Sequence, residues 1–235
     1  MPQDLRRIAE NVACVRSRMA EAAARSGRKA EEATLVAVTK YVDEPLVRAV
    51  VQAGCDVLGE SRPQALWEKV PRLADLPARW HLIGHLQRNK VRRTLPLVTL
   101  IHSADGLELI ADIDRIAGER SLEAKLLLEV NISGEDAKHG FAPAAIEPLL
   151  PQLASCRHVR VAGLMCMAGL EGGPDRARRD FAALRTLRDR LRRGCPEGIA
   201  LDDLSMGMSG DYEAAIEEGA TIVRVGSALF EGVLP

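Results

Sequence analysis

From Asp4 to Arg25 the apolar residues Leu5, Ile8, Val12, Val15, Met19 and Ala22 recur every three or four positions. That spacing puts one apolar stripe on a helix, and Gly27 supplies a stop just beyond it. The period then shortens. Residues 34–39 form an apolar run (Leu35, Val36, Val38) with β-branched valines, closed by Lys40, and a helix fits residues 44–53, with Pro45 in its first turn and Gly54 past its end. The same alternation predicts strands at 57–60, 80–83, 98–102, 125–131, 159–165, 201–205 and 221–225. Helices fit between them at 62–73, 87–93, 107–117, 144–154, 174–193 and 212–218, and a glycine-bearing loop spans 133–140. Pro148 and Pro151 count against a regular helix at 144–154, because proline removes a donor and clashes with the preceding turn.

Eight strands, each followed by a helix or a helical turn, predict an α/β fold: a single (β/α)8 TIM-type barrel with an extra N-terminal helix. An open doubly wound sheet is the alternative, and it explains less well why the pattern fills the chain evenly. No linker, low-complexity tract or shift in composition divides residues 1–235, so one domain without a second is expected.

Composition narrows the classes. Hydrophobic residues make up 47% and aromatics 3%, so the core is aliphatic, as a parallel sheet covered by helices requires. With 32 Lys+Arg against 33 Asp+Glu the net charge is −1, which speaks against general nucleic-acid or membrane binding. Five cysteines, odd in number and without a C-x-x-C pair, argue against a disulfide framework or a zinc site. Residues 1–30 carry charges throughout and do not read as a signal peptide or anchor. A reduced, cytoplasmic, soluble protein is expected.

Barrel enzymes place their sites at the C-terminal ends of strands and often bind phosphate in the loops after strands seven and eight. Residues 206–211 (MGMSGD) and 224–228 (RVGSA) fall in those two loops, with glycines that let backbone approach an anion. Each taken alone is also an ordinary turn with an N-cap serine. Lys40 ends the first strand. By position alone it is a solvated surface residue, but in a partly desolvated barrel mouth a lysine becomes nucleophilic toward a carbonyl. An amine, a phosphate cradle and a nearby arginine together describe a pyridoxal phosphate pocket.

Residues 35–40 (LVAVTK), 80–90 (WHLIGHLQRNK) and 204–211 (LSMGMSGD) resemble the pyridoxal phosphate homeostasis protein family. So do 101–105 (IHSAD), 130–135 (VNISGE) with Lys138 and Gly140, and 224–227 (RVGS), in order over nearly the whole chain. The resemblance implies a barrel similar to the N-terminal domain of alanine racemase. It implies a Schiff base of pyridoxal 5′-phosphate on Lys40, Arg224 facing the pyridine nitrogen, and Met208, Ser209, Gly226 and Ser227 holding the phosphate. An arginine at that nitrogen discourages its protonation and weakens the cofactor as an electron sink. Two departures stand out: Ser61 where the family commonly has Asn after Gly-Glu, and Thr94 where it usually has an aliphatic residue.

The resulting expectation is a cytoplasmic monomer that carries and buffers the cofactor in vitamin B6 homeostasis, delivers it to apo-enzymes, and is not an efficient catalyst. The competing expectation is a racemase-like amino-acid enzyme. Racemisation needs a proton carrier on each face of the cofactor, and the resembled racemases take the second from another domain. The two tyrosines offer little: Tyr41 is expected opposite Lys40 by strand alternation, and Tyr212 is expected to pack. A third option is a phosphorylated metabolite held without a Schiff base. No metal is expected, since His81 and His85 lie about 13 Å apart along a strand and no carboxylate cluster accompanies them. The arginines of residues 174–193 are read as a solvated face. Lys138 stays open between a transient aldehyde acceptor and a solvated lysine.

Overall fold

The computed structural model describes residues 3–135, 139–169 and 173–234. Eight parallel strands close in sequence order into a barrel. They are β1 (Thr34–Val38), β2 (Val57–Glu60), β3 (Arg79–Leu82), β4 (Leu100–Ala104), β5 (Ala124–Glu129), β6 (Val159–Met165), β7 (Asp203–Ser205) and β8 (Ile222–Val225), which pairs back onto β1. Strand alternation separates two cores. Val36, Val57, Leu100, Leu127, Ala162, Met165 and Ile222 fill the barrel, while Leu35, Leu58, Leu82, Leu126, Leu204 and Val223 face the helices. Gly59 belongs to the tight inner packing, where an added Cβ would lie 2.8 Å from Val36 Cγ1.

The helices α2 (Glu44–Gln52), α3 (Pro63–Arg72), α4 (Val91–Thr94), α5 (Leu107–Glu119), α6 (Pro143–Ala154), α7 (Gly173–Arg192) and α8 (Tyr212–Glu217) follow the first seven strands in turn. Among the described residues, β8 is followed by a 3₁₀ turn, Ser227–Leu229. The helix expected as an extra, α1 (Gln3–Arg25), buries Ile8, Val12, Val15 and Met19 and packs on α2, α8 and that turn. It therefore takes the eighth place in the outer ring.

Three local expectations shift. Residues 87–93 form a 3₁₀ turn and a single α-helical turn rather than one helix. β4 begins at Leu100, two residues later than expected, and runs on to Ala104. α6 forms through Pro148 and Pro151, because its buried face of Ile146, Leu150 and Leu153 holds it against the barrel. On α7, Arg178 and Arg185 pair with Glu217 or Glu218 next to it in the ring, so part of its basic face is an ion-pair seam between α7 and α8.

Candidate functional site at the barrel mouth

The C-terminal ends of the strands open into a cavity of about 1100 Å³. That is slightly above the roughly 300–1,000 Å³ usual for small-molecule sites. All six predicted site residues, Lys40, Met208, Ser209, Arg224, Gly226 and Ser227, line it. Alternation explains two of the placements: Val36, Val38 and Lys40 share the inner face of β1 and its extension, and Ile222, Arg224 and Gly226 share that of β8. A smaller concavity of about 370 Å³ lies at the other end of the barrel, and its charged groups are already paired, Lys125 with Asp203 and Arg160 with Glu123.

Lys40 is exposed, and its Nζ lies 5.1 Å from the centroid of the Tyr41 ring. Tyr41 thus stands beside Lys40, not opposite it, because the chain leaves the strand and turns at residues 40–41. The peptide before Lys40 is held from outside the barrel. Lys69 Nζ on α3 donates to the Thr39 carbonyl oxygen at 2.6 Å and pairs with Glu60 Oε2 at 2.8 Å. The other oxygen of the fully buried Glu60 accepts the Ser61 N–H at 2.9 Å.

The loops after β7 and β8 are tied together. Gly207 has φ +89, and a Cβ there would meet the Ala215 side chain at 2.5 Å, so the sharp exit from β7 requires glycine. Ser209 Oγ then accepts the N–H of Gly226 at 3.1 Å and that of Ala228 at 3.4 Å. Met208 N–H donates to Asp211 Oδ1 at 2.6 Å, closing the first loop on itself.

Arg224 is buried at the floor of the cavity. It donates from Nη1 to Ser205 Oγ at 2.5 Å and from Nη2 to the Cys166 carbonyl oxygen at 3.0 Å. Burial pulls its pKa down from the ordinary value, yet a guanidinium stays a cation. Since arginine only donates, the Ser205 hydroxyl proton is left for His102 Nδ1, 2.8 Å away. His102 Nε2–H then donates to His81 Nδ1 at 3.0 Å. Burial lowers the His81 pKa to about 4 and that of His102 well below its usual value, so both rings are neutral at pH 7.

The alanine racemase N-terminal domain family model matches residues 3–233. The pyridoxal phosphate homeostasis protein of Aquifex aeolicus (strain VF5) is 40% identical over 221 residues, covering 94% of this chain and 96% of its own. The chain belongs to the pyridoxal phosphate homeostasis protein family. Among solved structures, PipY of Synechococcus elongatus PCC7942 with PLP bound is 36% identical, with a TM-score of 0.84 over 95% of this chain and 99% of that one. Alanine racemase of Clostridium difficile 630, at 14% identity and a TM-score of 0.73, shares the barrel fold: it is matched over 97% of this chain and 56% of its own length.

Both departures from the family pattern have places in the structure. Ser61 lines the same cavity as Lys40. Thr94 is fully buried, accepts the Trp67 indole N–H at 3.1 Å and donates to the Lys90 carbonyl oxygen at 2.8 Å, so its hydroxyl is satisfied. Tyr212 is buried, with the Arg18 guanidinium of α1 5.9 Å from its ring centroid, and it does not line the cavity. Lys138 lies outside the described residues.

Sequence reasoning missed several groups at the mouth. Glu129, at the end of β5, lines the cavity 6% exposed. Among the described residues no side chain hydrogen-bonds to its carboxyl. Burial raises its pKa to about 7; Asp105 adds to the rise, while Arg224 and His85 oppose it. Its signal was available, since Leu127 and Glu129 share one face of β5. His81 and His85 do not meet: His81 joins His102 inside, and His85 Nδ1 sits on the rim 2.9 Å from Asp105 Oδ2. His139 Nδ1 approaches the same oxygen at 3.8 Å, and the His85 and His139 rings stack with centroids 4.7 Å apart.

Proposed function

We propose that this chain binds pyridoxal 5′-phosphate as a Schiff base on Lys40 and carries and buffers it in intracellular vitamin B6 homeostasis, without efficient catalysis. One observation carries the reading: a lysine amine, a buried arginine and two tied glycine-serine loops line one cavity at the C-terminal end of the barrel. The family relationship to PipY, solved with PLP bound, supports the same ligand. The donor set fits the phosphate end. The Gly226 and Ala228 N–H groups converge on the single oxygen of Ser209, so the loop backbone is already shaped to surround an oxygen acceptor. In this reading Met208, Ser209, Gly226 and Ser227 hold the phosphate, and Lys40 takes the aldehyde carbon.

The bound cofactor supplies an electrophilic carbonyl and a pyridine ring able to withdraw electrons. Arg224, a fixed cation lining the cavity, would meet the ring nitrogen and oppose its protonation, which would weaken that withdrawal. Ser205 and the Cys166 carbonyl hold the guanidinium from behind. Tyr41 lies on the Lys40 side and Tyr212 away from the cavity, so neither serves as a proton carrier across from Lys40. The reading includes a cytoplasmic monomer that hands the cofactor to apo-enzymes.

Glu129 favours a second reading, an amino-acid enzyme. It is a buried carboxyl on the strand opposite β1, titrating about neutrality. Two measurements on the purified protein test the pair. Borohydride reduction should leave a pyridoxyl adduct on the peptide carrying Lys40, and Lys40→Ala should lose the yellow colour; an unmodified Lys40 refutes the first reading. Solvent-deuterium exchange into the α-position of a panel of amino acids should stay far below enzymatic turnover. Fast stereospecific exchange that disappears in Glu129→Gln would establish the second.

A further inference from the structure

We propose that His85, Asp105 and His139 form a binding site for one divalent transition ion of the zinc class on the rim of the cavity, with Glu129 behind them. The inference does not rest on the cofactor reading, since none of these residues is assigned to the cofactor.

The three ligands come from successive strand ends: His85 follows β3, Asp105 follows β4, and His139 lies after β5. Closure of the barrel therefore makes them neighbours although they are spread over 55 positions of sequence. Their ligand atoms all lie within 4.8 Å of one another. Both imidazoles present Nδ1 to Asp105 Oδ2, at 2.9 and 3.8 Å. With metal–ligand bonds of roughly 2.0–2.2 Å, tetrahedral ligands sit about 3.3 Å apart, so the two distances bracket what one ion needs. The two histidines are on the rim, with side chains 46% and 65% exposed, free to rotate onto one ion. Asp105 is the fixed point, with only 13% of its side chain exposed. The loops beneath are braced as well: Ser103 Oγ donates to the Gly84 carbonyl oxygen at 2.6 Å, and Leu86 is buried.

Charge points the same way. Among the described residues the ion-pair partners of Asp105 are those two imidazoles; the nearby Arg88 is engaged by Glu108 and Asp112. Glu129 is more than nine-tenths buried, receives no side-chain hydrogen bond among the described residues, and lies within electrostatic reach of both Asp105 and His85. A cation at the triad would relieve the repulsion between the two carboxylates and give Glu129 a partner. Two imidazoles with a carboxylate select a borderline transition ion over magnesium or calcium, which prefer all-oxygen sets.

The test uses the purified full chain after dialysis against a chelator. Calorimetric titration with Zn²⁺ should show one equivalent bound, and Mg²⁺ should show none. Co²⁺ should give visible ligand-field bands without a sulfur charge-transfer band, which separates this site from the exposed thiol of Cys14. His139→Ala and Asp105→Asn should each weaken binding by at least the roughly 10–100-fold that follows loss of a supporting group. His158→Ala, remote from the cavity, should not. The proposal is overturned by absence of stoichiometric Zn²⁺ binding, by a thiolate signature with Co²⁺, or by unchanged affinity in His139→Ala and His85→Ala. Those two variants alter exposed side chains and keep the test valid should Asp105→Asn fail to fold.

Discussion

Lys69 shows how a residue outside the cavity sets the position of one inside it. Its ammonium is largely buried, bonded to the Thr39 carbonyl and paired with a carboxylate that has no solvent exposure. Such a pair is nearly neutral against an apolar replacement of both partners, but removing one leaves the other charged and buried, at a cost of about 3–5 kcal/mol. Lys69→Met is therefore expected to lower the urea unfolding free energy by that amount, and Lys69→Met combined with Glu60→Leu to recover much of it. Equal losses in the single and double variants would show that Glu60 is not the stranded charge. Lys40 itself was legible in the sequence, because Val36, Val38 and Lys40 repeat with the strand period. Lys69 was not: it reads as an ordinary lysine near a helix C-terminus, and only the path of α3 brings it under Thr39. Tyr41 misled for a related reason, since alternation holds only while the chain stays extended.

At the level of elements, the apolar periods located all eight strands and most helices to within a residue or two. β4 slipped because Val98 and Thr99 have strand character, and Thr99 N–H does bond to the Trp80 carbonyl oxygen, yet regular pairing with β3 begins only at Leu100. α6 shows packing overriding propensity, and no local pattern announces that. The role of α1 could not be read from its own stripe. Its amphipathic face says that it packs somewhere, and its contacts with α2, α8 and the turn after β8 say where. If α1 closes the outer ring, its core positions should cost as much as barrel positions do. Ile8 is fully buried, and Ile8→Ala is expected to destabilise the whole domain by about 2–5 kcal/mol in one cooperative urea transition. A separate early transition for the variant would mean that α1 is an appendage and not a wall of the barrel.

Across the whole molecule, the unusual feature is a polar column where a barrel of this kind is normally filled with aliphatic side chains. His81 on β3, His102 on β4, Ser205 on β7 and Arg224 on β8 span the interior beneath the cavity, each bonded to the next. The sequence shows these as isolated polar residues in four separate strands, and only the register of the closed barrel joins them. The column has a direction, because Arg224 can only donate, and it demands that both imidazoles be neutral. That demand makes stability depend on pH. In the unfolded chain a histidine titrates near 6.5, whereas His81 in the barrel titrates at about 4. Above pH 6.5 both states are neutral and the full stability is present. As pH falls from 6.5 toward 4 the unfolded chain takes up the proton first, so folding weakens, by about 3 kcal/mol at about 1.4 kcal/mol per pKa unit. His102, lowered in the same direction, adds to the loss. Carboxylates also titrate below pH 5, so the measurement must be a difference. Urea unfolding at several pH values between 7 and 4 should show wild type losing stability more steeply than His81→Gln, with the two curves converging as pH falls. Parallel curves would mean that His81 is protonated as readily in the barrel as out of it, and that the chain from Arg224 does not run in the direction derived from its hydrogen bonds.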